Sequence, residues 1–141
     1  MQESGPRVFT LEEANELLPE VRQILKQMRV RLADIQKFEE KKAVEELSWL
    51  REDGTISPNA EKEVSRIDTA IEGRTEAFEK ELEQLSALGA QLKDIDEGLV
   101  DFFASRGDEL VYLCWKEGEE RIGHWHDIHS GFSGRQPIDT L

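Results

Sequence analysis

Cysteine, aromatic residues and long apolar stretches are scarce in this sequence. Its 141 residues include a single cysteine, and aromatic residues make up 7%. A lone cysteine cannot form an internal disulfide, so nothing requires an oxidising compartment. The longest uncharged apolar run, Leu110–Trp115, is far shorter than the roughly 20 residues that cross a bilayer. The N-terminus has neither the basic start nor the apolar core of a signal peptide, and we therefore expect a cytoplasmic protein.

Positive charge is also in short supply. The chain carries 18 Lys and Arg against 31 Asp and Glu, a formal net charge of −13. Binding to a phosphate backbone requires clustered positive charge, and the sequence contains no basic stripe. The same acidity disfavours an anionic membrane surface. We therefore predict no nucleic-acid partner and no membrane partner, whereas a metal cation or a basic protein would suit this charge.

The first two thirds of the chain are typical of long amphipathic helices. A capping box at residues 10–13 predicts a helix start, and Ser57 followed by Pro58 predicts a second one. We expect a kink or break at Pro19, because proline removes one helical hydrogen bond. These features predict a long antiparallel helical hairpin over residues 10–93 with coiled-coil-like packing. Along the first helix, apolar residues recur at alternating spacings of four and three residues, at Ala14, Leu18, Val21, Leu25, Met28, Leu32 and Ile35.

After Lys93 the pattern changes from helical to alternating. Three segments rich in β-branched and aromatic residues are predicted strands, at residues 99–103, 109–115 and 121–126. All three histidines and six of the ten glycines also fall in this part. We therefore predict an α+β fold, a single domain over residues 1–141. In it the helical hairpin is followed by a small antiparallel β-sheet, a β-rich C-terminal cap over residues 94–141.

Two histidines in the predicted cap suggest a metal site. His124 and His126 share one face if their segment is a strand, because side chains alternate along a strand. Imidazole suits zinc, iron, nickel or copper, and Asp101, Glu119 or Asp127 offers a carboxylate to complete the ligand set. The alternative is that these histidines are ordinary packing or surface residues held by hydrogen bonds.

Two further residues of the cap, an arginine and the single cysteine, have side chains that can bind or react. A glycine-rich loop that ends in Arg135 is able to bind a small anion or an anionic cofactor through backbone amides and the guanidinium. The competing interpretation is an internal ion pair between Arg135 and a carboxylate. Cys114 lies in a predicted strand on the face of Leu110 and Tyr112, and we expect it to be a buried, inert thiol.

Several segments of the chain resemble a known family. They are, in chain order, Phe9–Pro19, Gly98–Phe102, Leu113–Glu119, Trp125-His126 and Gly131–Arg135. Together they are similar to a prokaryotic family known as domain of unknown function 2203, and the resemblance covers nearly the whole chain. It implies no activity, but it does imply which positions belong to the family pattern. These are Asp101, Glu119, His126 and Arg135, with Gly98, Gly118, Gly131 and Gly134 at turns.

The chain departs from that family pattern at two positions. Phe103 stands where the family usually has proline, and His124 stands where an aromatic or another residue more often precedes the Trp-His pair. The second departure weakens the pairing of the two histidines as a shared metal motif. The resemblance therefore favours Asp101, Glu119 and His126 as the ligand trio.

Three functions are consistent with these features. The first is a non-enzymatic interaction or scaffolding protein, with or without a structural metal ion, because amphipathic helix dominates and no nucleophile–base signature is present. The second is a metal-dependent hydrolase that uses the Asp/Glu/His trio to activate water. The third is a sensor of a metal or a small anion. Since two helices cannot enclose a core along their whole length, we also predict a homo-oligomer formed through the helices.

Overall fold

The computed structural model describes residues 7–49 and 51–141. Residues 1–6 and Leu50 lie outside the described residues, so the prediction that the N-terminus is not a signal peptide falls outside them as well. Within it, two long helices precede a five-stranded antiparallel sheet, which confirms the predicted α+β fold. The elements are α1 (Leu11–Leu47), α2 (Pro58–Leu88), β1 (Gln91–Asp94), β2 (Leu99–Arg106), β3 (Glu109–Lys116), β4 (His124–Asp127) and β5 (Gln136–Pro137), with short 3-10 helices at Phe132–Gly134 and Ile138–Thr140.

Helix α1 begins where the capping box predicts. The Thr10 amide donates to Glu13 Oε1 at 2.8 Å, and the Glu13 amide donates to Thr10 Oγ1 at 3.1 Å. The expected break at Pro19 is wrong, since α1 continues through it to Leu47. Leu18 and Val21 beside this proline are fully buried, so their packing outweighs the one hydrogen bond that proline removes.

Helix α2 ends earlier than residue 93, the predicted end of the hairpin. Gly89 adopts a φ of +90°. Its amide donates a hydrogen bond to the Ser86 carbonyl, and the amide of Ala90 donates to the Leu85 carbonyl, which closes the end of the helix. This arrangement is a Schellman motif, in which a left-handed residue stops the helix. The chain then forms β1, a strand that the sequence did not predict and that begins before residue 94. The predicted strand over residues 121–126 likewise starts only at His124.

The chain divides into two compact units, of which one is Gln27–Glu81. Ion pairs join its two helical segments at Arg31–Glu81 (3.3 Å), Asp34–Arg74 (3.8 Å) and Lys42–Asp68 (2.8 Å). Because the residue numbers rise along α1 as they fall along α2, the segments are antiparallel, as a helical hairpin requires. Met28, Val64 and Ile67 are buried in this unit.

The other unit joins the chain up to Lys26 with Leu82–Leu141. It contains the whole sheet, whose strands follow one another in the order β1-β2-β3-β4-β5. One face of the sheet is apolar and buried, and Phe9 packs edge-on against Phe102 there at 5.4 Å between ring centroids. The buried side chains of this face are Val100, Phe102, Ala104, Val111, Leu113, Trp115 and Trp125. The opposite face of the same strands is free to present polar side chains.

Neither α1 nor α2, nor any other helix of the described residues, combines the length and apolarity needed to cross a bilayer.

Candidate metal centre

Three adjacent strands place polar side chains on the second face of the sheet. Asp101 of β2 lies directly opposite Cys114 of β3, and Tyr112 of β3 lies opposite His126 of β4. Because Tyr112 and Cys114 are two residues apart on one strand, their side chains share a face. Asp101, Cys114 and His126 therefore lie on one side of the sheet although they come from three separate segments of the chain.

The side chains of these three residues converge. One donor atom from each of Asp101, Cys114 and His126 lies within 4.8 Å of the other two. All three residues are buried, with exposed fractions of 3%, 2% and 2%. A carboxylate, a thiol and an imidazole in one buried place make a ligand set suited to a transition metal ion such as zinc.

The hydrogen bonds of His126 fix the role of its ring. Nδ1 lies 2.7 Å from the carbonyl oxygen of Asp127, and Nε2 lies 3.0 Å from Asp101 Oδ2. A carbonyl oxygen only accepts hydrogen bonds, so Nδ1 carries a hydrogen and donates it. Metal-binding histidines commonly donate their second ring N–H to a carbonyl in this way, which orients the other nitrogen toward the metal. Nε2 is the nitrogen that faces Asp101.

Asp101 has unused capacity to bind a cation. Its second oxygen, Oδ1, is buried and accepts no hydrogen bond from the described part of the chain. Burial raises the pKa of this carboxyl above its ordinary value, and the neighbouring His126 acts in the opposite direction. A buried carboxylate oxygen without a partner is costly, and a bound cation is one way to offset that cost.

Cys114 is unsuited to act as a free nucleophile. Burial, and secondly the negative charge of Asp101, raise its thiol pKa to about 12. A catalytic cysteine needs a lowered thiol pKa, whereas the thiol pKa of Cys114 is raised. The same thiol is suited to bind a metal ion, because the cation supplies the charge that deprotonates it.

A cleft of about 360 Å³ lies against the three residues. Tyr112 is in its wall, and its ring lies 5.3 Å from that of His126 and stacks on Phe103 at 4.8 Å. Ile128 and Phe132, which also line the cleft, are each 41% exposed, so the cleft reaches the surface. The remaining lining residues are Lys93, Leu99, His129, Ser130 and Gly131.

Glu119 and His124, which the sequence analysis proposed as ligands, lie in a different cluster. Arg135 Nη2 donates to both carboxylate oxygens of Glu119 at 2.8 Å, and the Lys116 amide donates to Oε1 at 2.8 Å. His124 Nδ1 lies 3.8 Å from Glu119 Oε2. Neither residue belongs to the group whose ligand atoms converge.

Arg135 was proposed as an anion-binding residue, with an internal ion pair as the competing interpretation. In the structure its guanidinium pairs with the Glu119 carboxylate. It also donates to the Cys114 carbonyl at 3.3 Å, and its side chain is 11% exposed. A role for Arg135 toward an external anion, and the ligand roles of Glu119 and His124, remain predictions.

Sequence reasoning found Asp101 and His126 but missed Cys114 as their neighbour. It correctly placed Cys114 on the Tyr112 face of a strand. The missing information was that His126 pairs with Tyr112 and Asp101 with Cys114. Strand register depends on contacts between distant segments, which a single sequence does not reveal.

Comparison with known proteins supplies one match. No curated protein and no solved structure is significantly similar to this chain. Residues 7–138 match a family described as "Uncharacterized conserved protein (DUF2203)". The match covers most of the chain and confirms the resemblance predicted from its motifs, so the protein belongs to the DUF2203 family.

Proposed function

We propose that this protein binds a divalent transition metal ion, zinc or a similar ion, through Asp101, Cys114 and His126. The convergence of three different donor groups in one buried place is the observation that carries the proposal. The orientation of His126 supports it, because the carbonyl of Asp127 leaves Nε2 as the available ligand. The metal was predicted from the sequence; Cys114 here takes the place that was assigned to Glu119.

The distances are compatible with one tetrahedral ion. Ligands bound to zinc at about 2.0–2.2 Å in a tetrahedron are roughly 3.3 Å apart, and a thiolate sulfur is slightly farther away. Nε2 and Oδ2 are 3.0 Å apart, and the widest separation among the three donor atoms is within 4.8 Å. Side-chain adjustments of about 1 Å would complete the site, and binding would release the thiol proton.

The cleft beside Asp101, Cys114 and His126 provides space for a further ligand on the proposed metal ion. Three protein ligands leave a fourth place on a tetrahedral ion, which is the usual arrangement of catalytic rather than structural zinc. A metal-dependent hydrolase is therefore the second candidate function, because a metal-bound water in that place has a lowered pKa. A sensor that uses Arg135 has less support, since Glu119 already occupies its guanidinium.

Two expectations about the whole protein are part of this proposal. The helical unit Gln27–Glu81 supports a homo-oligomer, because Val30, Val44 and Leu47 expose 51%, 65% and 86% of their surface. Such a surface also suits an interaction or scaffolding role. A thiol ligand has to stay reduced, which favours a cytoplasmic location.

Metal analysis tests the proposal directly. The protein is purified without a nickel column, and its zinc content and zinc affinity are measured by elemental analysis and chelator competition. We expect one equivalent of metal, and we expect Asp101→Asn, Cys114→Ser and His126→Ala each to weaken zinc binding by about 100-fold or more, since even outer-shell changes cost 10–100-fold. Far-UV circular dichroism checks that each variant is folded.

Glu119→Gln and His124→Gln are the matched controls. Each replaces a polar side chain that is outside the convergent group, although His124 lies in β4 opposite Cys114. If neither side chain is a ligand, zinc affinity should stay within about threefold. If Glu119→Gln abolishes binding while Cys114→Ser does not, the ligand set predicted from the sequence is correct instead. If the purified protein contains no metal and its melting temperature does not rise when zinc is added, the proposal is wrong.

A further inference from the structure

We infer that the cleft binds a small organic carboxylate. Its carboxylate group would occupy the fourth position of the metal ion and face Lys93, and its apolar group would lie against Ile128 and Phe132. This inference rests on the proposed metal centre, and it names the class of ligand that the centre would take.

The charge of the site favours a monoanion. A divalent ion bound by the Asp101 carboxylate and the Cys114 thiolate gives a centre with zero net charge. Lys93, which lines the same cleft, adds one positive charge, and this charge already acts on Asp101. The completed site would therefore attract a single negative charge, although the chain as a whole carries −13.

Lys93 is available for such a role. Its Nζ lies 3.5 Å from the Tyr112 hydroxyl and 4.6 Å from the centre of the Tyr112 ring. That hydroxyl in turn donates to Gln91 Oε1 at 3.1 Å. No carboxylate of the described residues forms an ion pair with Lys93. An ammonium group that is held over an aromatic ring beside the metal-binding face, and that makes no close ion pair within the described part of the chain, is suited to bind an anion.

The apolar wall of the cleft favours an organic ligand over an inorganic one. Leu99, Ile128 and Phe132 line it, and the last two are partly exposed. The Phe132 ring is held by Arg135 at 4.6 Å and by Lys116 at 5.4 Å. Small-molecule sites combine apolar walls with a few convergent polar groups, and their volumes begin at about 300 Å³.

The loop that contributes Ile128 and Phe132 is preformed. Asp127 Oδ1 accepts hydrogen bonds from the His129 amide at 3.0 Å, the Ser130 amide at 2.9 Å and the Ser130 hydroxyl at 3.1 Å. These bonds close the turn that follows His126, the metal-binding residue of β4. The apolar wall and the metal ligand therefore belong to one local structure, so little ordering is needed when a ligand binds.

Cobalt substitution gives a direct test with full-length protein. Cobalt(II) takes the ligands of zinc and has visible absorption that depends on its coordination, and a thiolate–cobalt band reports Cys114 as a ligand. The loaded protein is titrated with benzoate, acetate, inorganic phosphate and benzyl alcohol. We expect benzoate to change the spectrum saturably, acetate to bind about tenfold or more weakly for lack of apolar contact, and benzyl alcohol to have no effect.

Single substitutions test the charge of Lys93 and the apolar contact of Phe132 separately. Lys93→Met should weaken benzoate binding about fivefold or more, because it removes one nearby positive charge. It should not weaken cobalt binding, because loss of a cation that acts on Asp101 favours a divalent ion there. Phe132→Ala should weaken benzoate while acetate stays the same. Lys80→Met, on the exposed surface of α2, is the matched control and should change neither.

The outcomes distinguish failure of the carboxylate inference from failure of the proposed metal centre. If the protein takes up no cobalt, both are overturned. If cobalt binds with its thiolate band but no carboxylate changes the spectrum, the metal centre stands and the inference alone is overturned. Binding of phosphate in preference to benzoate, or an unchanged benzoate affinity in Lys93→Met, would also overturn it.

Discussion

Asp101 and His126 illustrate the cost of burying polar groups. Both are almost completely buried, and the hydrogen bond between them at 3.0 Å leaves Asp101 Oδ1 without a partner among the described residues. An unsatisfied buried acceptor costs about 1–3 kcal/mol. A ligand that binds only the folded state recovers stability by mass action, so we expect zinc to raise the melting temperature.

The thiol of Cys114 gives a prediction at the scale of one residue. Its pKa is about 12 in the folded protein, against 9.0 for an ordinary thiol. Because the folded-state pKa is raised, the stability that this group contributes is fully present below about pH 9 and is lost as the pH rises toward 12. Metal-free protein should therefore lose about 1 kcal/mol of unfolding free energy at Cys114 between pH 8 and pH 10.

The measurement compares the wild type with Cys114→Ser by urea unfolding at several pH values. Serine does not ionise in this range, so subtraction of the two curves isolates the thiol from the other titrating groups. A stability difference that stays flat between pH 8 and pH 10 would contradict the raised pKa.

At the scale of elements, Gly89 decides where helix ends and sheet begins. Its φ of +90° belongs to the left-handed region, and a Cβ there would lie 2.5 Å from Phe9 Cζ. Phe9 also donates its amide to the Phe103 carbonyl at 2.7 Å and packs its ring on Phe102. One glycine thus terminates α2 and allows Phe9 to approach the start of the sheet.

Gly89→Ala should therefore be strongly destabilising. The left-handed conformation costs about 1–2 kcal/mol for a residue with a Cβ, and the clash with Phe9 adds about 1–3 kcal/mol. Gly73→Ala is the matched control, because Gly73 lies within α2 and a Cβ there meets nothing within 4 Å. That control should gain about 0.5–1 kcal/mol. Urea unfolding measures both, and a loss below about 1 kcal/mol for Gly89→Ala would refute this account.

At the scale of the molecule, charge and exposed apolar surface act in opposite directions. A net charge of −13 disfavours association, whereas Val44 and Leu47 near the end of α1 are 65% and 86% exposed. Repulsion between exposed charges is screened by salt, but apolar contact is not weakened by it. We therefore expect self-association to strengthen as the salt concentration rises.

Light scattering at physiological salt tests the homo-oligomer. We expect a mass of at least two chains at micromolar concentration, and Val44→Glu combined with Leu47→Glu should shift it toward the monomer. Leu141→Glu, which adds a charge at a 41% exposed residue of the other unit, is the control and should not change the mass. A monomeric wild type would show that the helical hairpin is not an oligomer interface.

The sequence alone determined the local features of this protein. Thr10 and Glu13 are three residues apart, so their capping box and the start of α1 were predictable from neighbouring residues. Alternating apolar residues predicted β2 and β3 for the same reason. The family could also be identified from motifs in chain order, and Asp101 and His126 were selected from them.

Tertiary structure decided which of these groups meet. Strand β1 lies within a stretch that was predicted to be helical, because the turn at Gly89 depends on the helix it ends and on the close approach of Phe9. Glu119 is held by Arg135, and Cys114 instead lies beside Asp101 and His126. Residue alternation tells which face of a strand a side chain occupies, but the pairing between strands depends on contacts between segments far apart in the chain. That long-range pairing brings the carboxylate, the thiol and the imidazole together.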